Sequence, residues 1–177
     1  MSDPGAALVD VVDDDDLVVR TATRAEVRAD NLLHRAVFVA LLTHGDEVWV
    51  HQRADDKDVW PSRWDVAFGG VVDAGEGWEA AAARELAEEA GVTGLDLTPL
   101  GGGRYEDEGV RELARVYLTR HDGPLVPTDG EVVAVDRVPL AELGAWVAAQ
   151  PIVPDSAALV VPRLVALLGA DGPAVRG

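Results

Sequence analysis

Residues 69–92 read GGVVDAGEGWEAAAARELAEEAGV, and the rest of the chain is best read outward from them. The run 77–90 is dominated by alanine, leucine and glutamate, which lose little side-chain freedom in a helix, and Gly91 stands where helices end in the left-handed conformation. A helix over 77–90 is the surest element the sequence predicts. On it Glu85, Glu88 and Glu89 fall at i, i+3 and i+4, so their carboxylates project from one face. Three like charges this close raise one another's pKa and weaken the helix unless a cation neutralises them. Carboxylate oxygens are the ligands hard cations take, and Mg²⁺ or Mn²⁺ suits them; Mg²⁺ keeps some waters and binds substrate phosphates directly. Arg84, beside Glu85 and four residues before Glu88, can pair with a carboxylate and fix its rotamer. Taken alone, the three glutamates would equally suit a solvated helix face, so the weight rests on the pattern around them.

On the N-terminal side, the apolar runs 6–12 and 17–21 flank Asp13, Asp14, Asp15 and Asp16, an acidic turn joining two strands into a hairpin over 6–22. Thr23 and Glu26 have the spacing of a capping box and predict a short helix over 24–30. Strands follow over 35–42 and 48–52, joined at His44-Gly45-Asp46. The polar segment 53–63, interrupted by Pro61, is a loop of the kind that binds ligands, and 64–68 is short and extended. Beyond the helix, strands are expected over 97–105, 113–119 and 132–135, with Gly101, Gly102 and Gly103 forming a bulge or turn. Two helices, 140–149 and 155–168, close the chain, the second interrupted by Pro162.

The 177 residues carry 32 acidic against 15 basic side chains, a formal charge of −17. Such a chain repels nucleic acid and anionic membranes, so no nucleic-acid or membrane partner is expected. A phosphate-bearing ligand needs local help from clustered Arg or Lys, or from a metal held by carboxylates. With no cysteine there is no disulfide framework, thiolate nucleophile or Cys-based metal site. No signal-like N-terminus and no long apolar run is present, which makes a cytoplasmic protein the expectation. One domain over 1–177 fits the length.

The spacing from Gly70 through Glu76 to Arg84-Glu85-Leu86-Ala87-Glu88-Glu89-Ala90-Gly91-Val92 matches GX5EX7REUXEEXGU, with U aliphatic, at every fixed position. Over 70–92 the chain thus resembles the Nudix hydrolases, and the order of elements on both sides is similar too. The resemblance implies an α/β/α sandwich around a central mixed β-sheet, and metal-dependent attack of water on a diphosphate linkage in a small, nucleotide-like substrate. It implies metal ligands at Glu85, Glu88, Glu89 and the Gly69 carbonyl, with Gly70 and Glu76 supporting the loop and helix. Glu85 is the choice for general base, with Arg84 and Glu88 beside it. Glu112 and Glu131 are the alternatives, because other members use a later glutamate; both also read as ordinary surface residues. A homodimer accords with the family.

A narrower resemblance lies in residues 32–39 (LLHRAVFV) and 51–65 (HQRADDKDVWPSRWD), similar to isopentenyl-diphosphate isomerases, where the positions of Arg53 and Lys57 contact the substrate diphosphate. An arginine and a lysine in an acidic chain would form a clamp, one bidentate and one a point charge. Equally, they balance Asp55, Asp56 and Asp58. The isomerase's catalytic cysteine and one metal-binding histidine are replaced by Phe68 and Gly70, which argues against isomerisation, and His34 reads as structural. Trp49, Trp60, Trp64 and Trp78 cluster near the site and could stack on a base. Asp107 and Glu108 stand where ADP-ribose hydrolases carry a proline, and no SQPWPFPxS-like segment is present, so the substrate stays open. A binding module that has lost catalysis is the remaining alternative, disfavoured by the intact carboxylate set.

Overall fold

The computed structural model describes residues 4–128 and 130–170. The ends of the domain expected over 1–177 lie outside these residues.

The hairpin is present as β1 (Leu8–Val12) and β2 (Val18–Thr23), antiparallel across the aspartate turn. Thr23 then caps α1 (Arg24–Ala29): its hydroxyl accepts from the Glu26 amide at 3.2 Å, and the Glu26 carboxylate accepts from the Thr23 amide at 2.7 Å. β3 (His34–Leu42) follows, and its almost unbroken apolar run has a simple cause. Ala36, Phe38, Ala40 and Leu42 face one core while Val37, Val39 and Leu41 face another, so both faces of the strand are covered. Next come β4 (Glu47–Arg53), β5 (Trp64–Asp65), β6 (Phe68–Val71) and α2 (Trp78–Ala90). β7 (Thr98–Glu106), β8 (Arg111–Arg120) and β9 (Val132–Pro139) complete the strands, and α3 (Leu143–Ala149), α4 (Pro154–Leu159) and α5 (Val161–Ala170) end the described chain.

Among the described residues nine strands form one mixed sheet. β3 is its axis: β8 runs parallel to it from His34↔Glu112 to Leu42↔Arg120, and β6 pairs antiparallel on its other side from Ala36↔Val71 to Val39↔Phe68. β7 pairs with β8 and β9 with β4. On one face α2 buries Ala81, Ala82, Leu86 and Ala90 against Val37, Val39, Phe68 and Tyr117. On the other, Leu143, Leu159, Val160 and Leu164 of the C-terminal helical region cover Phe38, Ala114 and Val116. Helices on both faces make the α/β/α sandwich around a mixed sheet that was expected.

Four local readings are refined. The extended segment at 64–68 splits, because Asp65 Oδ1 accepts the Ala67 amide at 3.2 Å and turns the chain from β5 into β6. β9 runs to Pro139 rather than stopping at 135, since it stays in register with β4 as far as Glu47↔Pro139. The helix expected from 140 begins as a 3-10 turn over Leu140–Glu142. The helix expected over 155–168 breaks at Val160, and Pro162 sits in the first turn of α5, where a missing amide costs nothing. The bulge among the glycines is real, lying between Pro99 and Gly101, whose φ is +100°.

Candidate functional site

The helix α2 starts at Gly77 and stops at Gly91, whose φ of +69° and contact with Val126 both demand glycine: a Cβ there would stand 2.2 Å from the Val126 carbonyl oxygen. Its inner face carries Glu85 and Glu89, 8% and 2% exposed, while the Glu88 side chain is 47% exposed. Helical geometry thus buries two of the three carboxylates beneath β6 and leaves one at the mouth.

The glycine pair of β6 receives them. Glu89 Oε2 accepts the Gly69 amide at 2.8 Å. Gly70 lies against Glu85, and a Cβ at Gly70 would meet its Oε1 at 2.8 Å. Arg84 ties the assembly together, donating to Glu85 Oε1 at 2.6 Å, to both Glu76 oxygens at 3.1 and 2.9 Å, to the Val71 carbonyl at 3.1 Å, and to Glu88 at 3.4 Å. Glu76 also accepts the Asp73 amide, so it links the loop to the helix.

Burial pushes the Glu85 carboxyl up to about 7, against the pull of Arg84 and with repulsion from Glu88 and Glu131 added. Glu89 lies well above the ordinary range, from burial first and Glu85 second, opposed by the Gly69 amide and Lys57. Burial raises Glu76 as well, but the Arg84 and Asp73 hydrogen bonds outweigh it and hold that carboxyl low. Arg84 itself is held more firmly protonated, chiefly by Glu76. Two buried, mutually repelling carboxylates next to a half-exposed third form an all-oxygen donor set that fits a hard divalent cation. Among the described residues no three His, Cys, Asp or Glu side chains already stand as a finished metal cage.

Lys57 and Arg53 both approach this region, by different routes. Lys57 is ion-paired with Glu131, and the pair borders the Nudix-like motif of residues 70–92, the box: Glu131 repels Glu85 while Lys57 attracts Glu89. Arg53 donates to the Val59 carbonyl at 3.0 Å and lines a cleft beside Gly69 and Gly70. Of the loop aspartates expected to balance them, Asp58 turns instead to Arg28, 3.5 Å away. Glu112 is buried in the same cleft as Arg53, where it responds to Arg28, Asp65 and Asp107 rather than to the box glutamates. Of the two later glutamates, Glu131 is the one whose charge acts on Glu85.

Sequence reasoning missed Arg24, Arg28, Asp65 and Asp155, which share this cleft. The i, i+4 spacing of Arg24 and Arg28 on α1 was the available signal. Phe68 is fully buried and stacked on His51 at 4.7 Å, and Gly70 has its side-chain space filled by Glu85, so the two isomerase positions are committed to packing. His34, buried, holds the Leu32 carbonyl through Nδ1 at 2.9 Å. Of the four tryptophans near the site, Trp60 lines the cleft, while Trp49 donates to the His121 carbonyl, Trp64 packs on Trp146 and Trp78 lies under Arg115. Among the described residues no helix is long and apolar enough to cross a membrane.

The family model of the NUDIX domain matches residues 32–160. A Nudix hydrolase of Streptomyces coelicolor, SCO1686, is 37% identical over 168 residues, 94% of this chain and 92% of that protein. The Escherichia coli K12 Nudix hydrolase YfcD is 32% identical over 127 residues, 72% of this chain and 71% of its own. Among solved structures, DR0079 of Deinococcus radiodurans superimposes with a TM-score of 0.69 at 25% identity, covering 82% of this chain and 91% of that one.

Proposed function

Because the chain belongs to the Nudix hydrolase family, we propose that it hydrolyses a diphosphate linkage in a nucleoside diphosphate derivative or nucleotide, with Mg²⁺ or Mn²⁺ as cofactor. The observation that carries this reading is the burial of Glu85 and Glu89 side by side against Gly69 and Gly70, with Arg84 bonded to Glu85. Glu85, Glu88, Glu89 and the Gly69 carbonyl would hold the cation. When bound there, it would neutralise the diphosphate and lower the pKa of water.

The chain's own groups supply the rest. Glu85, buried beside Gly70 and held by Arg84, is the choice for accepting a proton from water. Glu131 stands second for that role. Arg84 fixes the rotamer of Glu85, and Glu76, bonded to both Arg84 and the Asp73 amide, fixes Arg84. Gly70 leaves the space the Glu85 carboxylate occupies. Arg53 would bind a substrate phosphate from the cleft; Lys57 would do so once released from Glu131. A homodimer remains part of the proposal on family grounds alone.

The test is phosphate release from the purified chain across nucleoside di- and triphosphates, nucleotide sugars, dinucleotides, coenzyme A and isopentenyl diphosphate, with Mg²⁺ or Mn²⁺ and with chelator. Turnover that needs the metal supports the reading and names the substrate class. A protein that binds these compounds without turning any of them over contradicts it.

A further inference from the structure

Beside the glycine pair lies a cleft of about 450 Å³, counted to its open mouth, whose inner carboxylates the proposed hydrolysis does not use. Its inner part is made of carboxylates. Glu112 is 4% exposed, Asp65 and Asp155 5% each, and the strands β5 and β8 and the start of α4 bring them together. Asp65 and Asp155 each spend one oxygen on a neighbouring backbone amide, that of Ala67 and that of Ser156. Glu112 Oε1 is buried and has no hydrogen-bond partner. Two arginines that line the same cleft also carry buried donors without a hydrogen bond, Arg28 Nη1 and Arg53 Nε, while Arg28 Nε is ion-paired with Asp58 at 3.5 Å. Trp60 lines the cleft, edge-on to Tyr105 at 6.0 Å, and its backbone holds a φ of +48°.

Buried donors and acceptors left unpaired cost more than the hydrogen bonds they forgo, so this arrangement calls for an occupant. A phosphate, which Arg53 would take, leaves Glu112 Oε1 without a donor. A bare cation would satisfy the carboxylates and leave the arginines unpaired. An apolar tail would satisfy neither. A planar group carrying a donor next to an acceptor satisfies both at once.

We propose that Glu112 and Asp155, opposite Arg28, form a specificity pocket for an amino-bearing nucleobase. The exocyclic amine donates to the carboxyl oxygens, the adjacent ring nitrogen or carbonyl accepts from Arg28, and Trp60 offers an aromatic face. This assignment rests on the hydrolase reading for the phosphate end of the substrate and adds which end-group the enzyme selects.

The test separates the two. Binding of cytidine against uridine 5′-diphosphate, and of guanosine against inosine 5′-diphosphate, is measured by calorimetry on the full chain in the presence of chelator, where no metal-dependent turnover occurs. The wild type is expected to bind the aminated member of each pair about 10- to 100-fold more tightly, the range for a hydrogen-bonding site that loses its partner. Glu112→Gln, which replaces one carboxyl oxygen by an amide nitrogen that can only donate, is expected to bring that ratio close to one. Arg28→Lys is the second variant, should the first not fold, and is expected to lower the ratio as well. Equal binding within both pairs in the wild type overturns the proposal. So does a Glu112→Gln protein that keeps the wild-type ratio, or one that loses kcat on every substrate by the same factor with a shifted pH profile, which would make Glu112 the general base. Metal-dependent turnover with no base preference would sink this inference alone; a base preference without turnover would sink the hydrolase reading alone.

Discussion

A Cβ placed on Gly70 would stand 2.8 Å from Oε1 of Glu85, so the glycine that opens the motif and the glutamate on its helix occupy one space between them. The intruding atom would meet the end of a side chain rather than backbone. Gly70→Ala should therefore fold, with stability changed by about 1 kcal/mol, while displacing the carboxylate. A shift of that kind costs about 100-fold in rate. Thermal melts together with kcat/KM check this; a fully active Gly70→Ala protein would remove Glu85 from the reacting geometry.

Arg84 joins Glu85, Glu76 and the Val71 carbonyl through a planar fork. A lysine keeps the charge but cannot reach these partners together. Arg84→Lys is expected to lower kcat at least about tenfold, with KM little changed, because the loss falls on the orientation of Glu85 and not on substrate contacts. Steady-state kinetics on the best substrate decides between that pattern and a pure KM effect.

A cation that binds the folded site alone must stabilise the fold. At a free concentration about 100 times its Kd the gain is about 2.7 kcal/mol. Mg²⁺ or Mn²⁺ should therefore raise the Tm of the wild type, and the shift should vanish in Glu89→Gln. An equal shift in both proteins would place the cation elsewhere.

Burial pushes both His34 and His51 down to about 4, from 6.5. The unfolded chain takes up these protons near pH 6.5 and the folded chain only near 4, so unfolding is favoured as pH falls through that window. The contribution of each histidine is complete above pH 6.5, lost between about 6.5 and 4, and of the order of a few kcal/mol. Chemical denaturation of the wild type and His51→Gln at pH 7.5 and 5 measures it: the variant should lose less stability on acidification. An identical loss in the two proteins would show that His51 is not held neutral by the fold.

The motif was legible because its interactions are local. Gly69 to Val92 runs from the end of β6 through one loop into one helix, and spacing groups Glu85, Glu88 and Glu89 on one face; that Glu85 and Glu89 are buried and Glu88 is not depends on how the helix packs on β6. The capping box of Thr23 and Glu26 was readable for the same reason. The cleft was not, since Arg28, Asp65, Glu112 and Asp155 are far apart in sequence. They meet because β8 aligns with β3 and because the bridge of Ile152 to Trp64 lays the start of α4 beside β5. Glu112 was visible only as a glutamate in a strand; no local signal marks it as 4% exposed. The partner of Lys57 was likewise hidden, for Glu131 lies 74 residues away.

The central claim, that the box glutamates hold a divalent cation for hydrolysis, is tested most directly by one titration. Phosphate release from the best substrate is followed against Mg²⁺ concentration for the wild type and for Glu89→Gln, with circular dichroism to confirm that both are folded. The account predicts saturable activation of the wild type, complete loss on chelation, and a folded variant whose rate is lower by about 100-fold or more and whose metal requirement is raised. A folded Glu89→Gln protein with the wild-type rate and metal dependence would contradict it.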